Sequence, residues 1–219
     1  MGTVVITGSN RGIGLELAKN YSSTHNVYAL CRVASEALQA LPNTTVIEDV
    51  DVTSQASVNA AIETCPNEID ILINNAGILK RVGLDYNDEA ILQDQWNVNA
   101  MGPLRVTKAC YSRLKPGAKV ALITSRMGSI ADNESGSHYG YRMSKAALNA
   151  AGKSLAIDLA LQQIAVAILH PGWVQTDMTG NTGHYTVDVA AKQLMDRIDE
   201  LTLNTTGTFW HSNGDVLPW

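Results

Sequence analysis

The stretch from residue 3 to residue 21 constrains the fold more than any other. An apolar, β-branched run, Thr3-Val4-Val5-Ile6-Thr7, breaks into Gly8-Ser9-Asn10-Arg11-Gly12-Ile13-Gly14 and passes directly into a helical pattern over 12–21. Glycines at that junction lower the steric cost of a tight turn, and the helix that follows offers unpaired N–H groups and the positive end of its dipole. A strand, a glycine turn and a helix in that order begin a parallel βα unit, not a hairpin.

The pattern recurs along the chain. Strand-like runs stand at 27–31, 45–48, 69–74, 120–124, 164–170 and 207–210, with helical patterns at 54–64, 90–114, 141–162 and 187–203. This alternation predicts an α/β protein: a single Rossmann-like doubly wound parallel sheet of about seven strands with helices on both faces. Near-continuous apolar strands such as Val4-Val5-Ile6 and Ala121-Leu122-Ile123 suit burial on both sides. No linker, repeat or low-complexity segment divides the sequence, so residues 1–219 are read as one dinucleotide-binding domain. Hydrophobic residues at 45% and charged residues at 17% exclude disorder. Sixteen basic against 21 acidic residues, net −5, leave no basic footprint for nucleic acid or an anionic membrane. No apolar stretch approaches the ~18 residues of a membrane span and no basic leader precedes the first strand, from which a cytoplasmic protein is expected. Cys31, Cys65 and Cys110 are widely spaced and odd in number, which reads as buried, reduced thiols and no metal site.

In a doubly wound sheet the ligand lies outside the carboxyl ends of the strands. The first such end carries Gly8-x3-Gly12-x-Gly14, a departure from the commoner Gly-x-Gly-x-x-Gly but placed where a pyrophosphate would meet the helix. The acidic residue expected after the second strand to hold a ribose diol is absent, and Cys31-Arg32 stands there instead. Arg32 and Arg11 suit a 2′-phosphate, which predicts NADP (NADPH) as cofactor; the bland alternative is two solvated arginines. Asp49-Val50-Asp51-Val52-Thr53 follows the third strand, Asn74-Asn75-Ala76-Gly77 the fourth and Thr124-Ser125 the fifth. All three are also ordinary turn chemistry.

Tyr141 and Lys145 are separated by one helical turn and so share a face. An ammonium there favours a phenolate. Moving a Tyr pKa from near 10 toward neutrality by ~2 units takes about 2.7 kcal/mol, an amount one fixed charge in a dry site can supply. The pair is therefore read as an acid poised on a bound dinucleotide.

Taken in order, Thr-Gly-x3-Gly-x-Gly at 7–14, Asp51, Asn-Asn-Ala-Gly at 74–77, Asn97-Val98-Asn99, Ser125, Tyr-x-x-x-Lys at 141–145 and Pro171-Gly172 resemble the short-chain dehydrogenase/reductase family. Ser125-Arg-Met-Gly-Ser-Ile, His170-Pro-Gly-Trp-Val-Gln-Thr-Asp-Met and the final Gly-Asp-Val-Leu-Pro-Trp look more narrowly like C-factor and the sniffer-type carbonyl reductases. The resemblance implies NADPH-dependent reduction of a neutral aldehyde, ketone or quinone. Tyr141 would give the proton and Ser125 hold the carbonyl oxygen. Lys145 would lower the Tyr141 pKa and bind a ribose, and Asn99 would position a relaying water. The cofactor would lie along Gly8, Ser9, Asn10, Arg11, Gly12, Ile13, Gly14, Arg32, Asp51, Val52, Asn75, Ala76 and Gly77. Pro171, Gly172, the Val174 backbone and Thr176 would meet its nicotinamide end.

It also implies a homodimer through helices 90–114 and 141–162, the second with Leu148, Ala151, Leu155 and Leu159 at helical spacing, a stripe that equally suits a core. Two departures stand out. Sixteen residues separate Ser125 from Tyr141, an insertion at 129–138 that makes Ser129 an alternative to Ser125. Ser125 keeps the family's Ser-x-x-Gly context. The segment 179–186 is short and lacks Arg and Lys, so an open, apolar pocket with Trp96, Trp173 and Met178 is expected. His170 is read as packed, and His138 as either touching substrate or solvated. A signalling or sensing protein of the C-factor type, with little or no turnover, is the alternative function; the full set Asn99, Ser125, Tyr141 and Lys145 weighs against it.

Overall fold

A computed structural model describes residues 1–219. Seven parallel strands form one sheet: β1 (Gly2–Thr7), β2 (His25–Leu30), β3 (Thr44–Ile47), β4 (Ile69–Asn74), β5 (Leu114–Ile123), β6 (Ala165–His170) and β7 (Phe209–His211), in the order β3-β2-β1-β4-β5-β6-β7. The order reverses between β1 and β4, and the carboxyl ends there open the crevice that doubly wound sheets use for ligands.

Strand pleating sorts the core into two layers. Val5, Leu72, Val120, Leu122, Val166 and Ile168 pack on one face beneath α3 (Gln55–Glu63), α5 (Gly102–Cys110) and α6 (Tyr139–Ala160). Val4, Ile6, Ile71, Ile73, Ala121, Ile123 and Leu169 pack on the other beneath α1 (Gly12–Tyr21) and α7 (Val187–Asp199). Each strand is therefore apolar at successive positions, as a sheet covered on both faces requires. A single-turn helix missed in the sequence, Glu36–Gln39, is held by the Ser35 side chain accepting from the Leu38 N–H. No helix is long and apolar enough to cross a membrane, and all three cysteines are free and buried.

The expected single helix over 90–114 is corrected. It divides into a helix Ala90–Trp96, a π-helical turn Asn97–Met101, α5, and a 3₁₀ turn Tyr111–Arg113, after which β5 begins at Leu114, six residues before the expected start. Pro103 has no N–H to return to the Asn99 carbonyl at α spacing, and the chain takes the wider π turn there. Gly102 beside it faces Val52, whose Cγ2 would lie 3.0 Å from an added Cβ. The stripe Leu148, Ala151, Leu155, Leu159 belongs to this chain's interior: Leu148 and Leu159 are core and Leu155 packs against it.

Candidate active site

The glycine turn is built by contacts from the neighbouring strand. Gly8 has φ +68 and would place a Cβ 2.9 Å from the Ala76 Cα, while a Cβ on Gly14 would meet the Gly8 carbonyl oxygen at 2.2 Å. Asn75 fastens the turn from across the switch: its Nδ2 donates to the carbonyls of Thr7 at 3.0 Å and Gly8 at 3.1 Å. The Thr7 hydroxyl accepts from the N–H groups of Asn75 and Ala76. Gly8, Asn10, Arg11, Gly12, Ile13 and Gly14 line a cleft whose other walls include Arg32, Asp51, Val52, Asn75, Ala76, Gly77 and Thr176. Those backbone N–H groups, the free helix start and two arginines are chemically suited to a dinucleotide with a phosphate at each end of its adenosine.

Ser9 departs from expectation. It is fully buried below the loop, with its hydroxyl donating to the Ile6 carbonyl at 2.8 Å, so it fixes the turn and does not line the cleft. Arg11 reaches Asp177 at 2.6 Å across the cleft, both side chains about two-thirds exposed. An exposed pair of this kind is worth only about 0–1 kcal/mol and yields readily to a better anion. Asp51 spends one carboxylate oxygen on the N–H and hydroxyl of Thr53, which holds its pKa below the usual range. Leu30, Cys31, Val50, Ile78, Val98, Asp177 and Met178 also line the cleft and were not singled out as cofactor contacts from sequence. Apolar residues at strand ends carry no signal that separates a wall from a core.

At the ends of β5 and α6, Ser125, Tyr141 and Lys145 come together. Ser125 follows β5 in extended conformation and its hydroxyl accepts from the Met127 N–H at 3.1 Å. Tyr141, in the first turn of α6, lies close enough to the Ser125 side chain for that hydroxyl to favour the ionised phenol. Burial pushes the phenol up to about 12, and the Ser125 hydroxyl opposes this only in part. Lys145 is buried one turn later, donating to the Ile123 carbonyl at 2.9 Å, with its ammonium 5.8 Å from the Tyr141 ring centre. Burial pulls its pKa down to about 8. Desolvation is thus the larger influence on the Tyr141 phenol, and it acts on Lys145 in the opposite sense, against the charged ammonium.

Asn99 sits in the π turn, fully buried. Its Nδ2 donates to the Ile78 carbonyl at 2.9 Å and the Ser144 hydroxyl at 3.0 Å, and its Oδ1 accepts from the Ile78 N–H at 2.8 Å. The Ser144 hydroxyl donates to the Tyr141 carbonyl at 2.8 Å, so Asn99 is tied to the turn that carries Tyr141. Gly77 stands between them, its missing Cβ 3.3 Å from the Asn99 Oδ1 and 3.7 Å from the Lys145 Nζ. Ser129, the alternative hydroxyl, is buried and accepts from the Asp132 N–H, which makes it a turn former.

Past β6, Gly172 has φ +87 and Tyr185 packs where its side chain would be. Val174 is buried and bridges to Tyr185, and Thr176 starts a 3₁₀ turn whose Thr179 hydroxyl accepts from the Thr176 N–H. His170 is packed against His211, ring centres 5.0 Å apart, and burial pulls its pKa down to about 3. Trp173 and Trp96 are both exposed and lie outside the cleft that Met178 lines.

The family model described as short chain dehydrogenase matches residues 2–187. A protein of Rhodococcus sp. (strain AD45), 1-hydroxy-2-glutathionyl-2-methyl-3-butene dehydrogenase, is 39% identical over the whole of both chains. The C-signal protein of Myxococcus xanthus is 42% identical over 73% of this chain and 98% of its own. The crystal structure of NADPH-bound carbonyl reductase from chicken fatty liver superposes with a TM-score of 0.89 at 29% identity, covering 99% of this chain and 98% of that one.

Proposed function

This chain belongs to the short chain dehydrogenase family, on the side that holds C-factor and the sniffer-type carbonyl reductases, and on that premise we propose that it is an NADPH-dependent reductase of neutral aldehydes, ketones or quinones. The observation that carries the reading is the convergence of Ser125, Tyr141 and Lys145 beside the glycine-lined cleft. The dinucleotide, when bound, supplies the hydride. Tyr141 is neutral at physiological pH and so holds the proton that the carbonyl oxygen needs. Ser125, beside that phenol, is placed to orient the same oxygen. Lys145 stays largely protonated below pH 8 and opposes the charge left on Tyr141 after proton transfer.

Arg32, with Arg11 released from Asp177, would hold the 2′-phosphate, and Asp51 and Val52 would flank the adenine. Pro171, Gly172, the Val174 backbone and Thr176 would meet the nicotinamide end. Asn99 keeps its assignment as holder of a relay water, through its backbone, since its amide is spent on Ile78 and Ser144. The short segment after Met178 supports a loose apolar substrate site. We extend the proposal to a homodimer.

The 42% likeness to C-signal favours one second reading, a cofactor-binding signalling protein with little turnover. One assay separates them: loss of 340 nm absorbance from NADPH with a panel of aldehydes, ketones and quinones. With NADP⁺ in place of NADPH, and absorbance gained instead of lost, the panel should include an alcohol beside a glutathionyl thioether, the kind of compound named for the Rhodococcus relative. Turnover that falls about 10²-fold or more in Tyr141→Phe, with NADPH still bound, is expected. Tight NADPH binding without turnover on any member would favour the signalling reading.

A further inference from the structure

The inserted loop 129–138 leaves Ser125 and returns at Tyr141, so its shape sets how the two hydroxyls face one another. Its first half is well held. The Ser129 hydroxyl accepts from the Asp132 N–H, Arg126 pairs with Asp132 through Nη2 at 3.0 Å, and the Ala131 N–H donates to the Trp219 carbonyl at 2.8 Å. The second half has one local bond, from the Gly136 N–H to Asn133 Oδ1, and one backbone bond to the helix, from the Arg142 N–H to the His138 carbonyl; beyond these it depends on a single side chain.

That side chain is Arg142, next to Tyr141 in α6. Its Nη2 donates to the Ser135 hydroxyl at 2.8 Å, its Nε to the Gly136 carbonyl at 3.1 Å and its Nη1 to the Met127 carbonyl at 3.4 Å. One guanidinium thus joins the far end of the insertion, the turn after Ser125 and the helix start that carries Tyr141. The backbone it holds is strained: Gly136, Ser137 and His138 have φ of +62, +56 and +54, and two of the three bear a Cβ. A left-handed residue with a Cβ is disfavoured by roughly 5- to 30-fold, so this run requires something to hold it, and a planar fork with several donors at fixed angles is suited to do so.

The geometry points to Arg142 as a positioning residue for the carbonyl site: it clamps the strained end of the insertion and thereby sets the spacing of Ser125 and Tyr141. The inference rests on the reading of those two as the groups that meet substrate. Arg142 itself touches neither hydroxyl, and the cleft assigned to the dinucleotide lies outside its contacts. Its loss should act on substrate and leave cofactor alone.

The test uses the full chain with Arg142→Ala, Arg142→Lys and Ser135→Ala. Arg142→Ala is expected to raise KM for a carbonyl substrate about tenfold or more with a smaller change in kcat, and to leave NADPH affinity, read by fluorescence titration, within about twofold. Amide exchange in 129–138 should quicken by about tenfold, and millimolar guanidinium should restore part of kcat/KM. Arg142→Lys, with a point charge in place of the fork, should fall between Ala and the unmutated protein. Should Arg142→Ala fail to fold, Arg142→Lys and Ser135→Ala carry the same comparison, both expected to quicken exchange in 133–138. Unchanged exchange, or NADPH affinity falling in step with KM, would overturn the clamp. If the unmutated protein reduces no carbonyl, the reductase reading fails and the exchange measurements alone decide the clamp.

Discussion

Arg32 carries the cofactor preference at the scale of one residue. It lines the cleft at the end of β2, where no carboxylate stands to hold a ribose diol, whereas Arg11 is already shared with Asp177. A charge-assisted hydrogen bond to phosphate contributes about 1.5 to 3 kcal/mol, far above the exposed Arg11–Asp177 pair. Arg32→Ala should therefore weaken NADPH binding by roughly 10- to 150-fold and leave NADH nearly unchanged. Dissociation constants for both cofactors check this, and equal weakening of the two would refute it. Ser9 and Arg11 mark where residue reading stopped short. Both occupy the glycine loop, yet one points into the protein and the other to an aspartate 166 positions away.

At the scale of the element, α6 is the part on which the site depends. It carries Tyr141 and Lys145 on one face and Arg142 next to them, and it can approach β5 only because Gly128 lacks a side chain. A Cβ at Gly128 would lie 2.7 Å from the Lys145 carbonyl carbon and 2.8 Å from its oxygen. Those are backbone atoms of a helix, so no rotamer change can relieve the clash. Gly128→Ala is expected to cost about 1 to 3 kcal/mol of stability, as overpacking generally does. It should also lower turnover by moving Lys145 and Tyr141 away from Ser125. Thermal melts and steady-state kinetics measured together check both effects; a variant with unaltered melting and kcat would show that α6 has room to spare.

For the whole molecule, the open matter is the outer face of α6. Its inner stripe faces the core, but Met143 and Ile157 stand fourteen residues, two heptads, apart on the outside, 56% and 63% exposed, with Leu161 just beyond at 87%. An exposed apolar row at helical spacing is the surface a second copy would cover in the proposed homodimer. Light scattering at micromolar concentration should give about twice the chain mass, and Ile157→Glu should return it to the monomer. A monomeric mass for the unmutated protein would remove the homodimer.

The sequence by itself determined the α/β class, the order of strands and helices, the glycine turn and the Tyr141–Lys145 pair, because each rests on local periodicity or on spacing within one or two turns; Ser125 was picked out by the family resemblance. It also located Gly12–Tyr21 and Ile69–Asn74 at both ends. Other matters were decided only by tertiary structure. The helix over 90–114 was interrupted at Asn97–Met101, where Pro103 withholds an N–H and Gly102 meets Val52 from another loop. Burial pushes the Tyr141 phenol toward its protonated form and the Lys145 ammonium toward its neutral one. Arg142, ordinary in any helical pattern, acquires three acceptors only when the insertion folds back over it. Local propensity is written between near neighbours; desolvation, close approach and the partner of a long side chain depend on residues brought together from afar, and those the fold alone supplies.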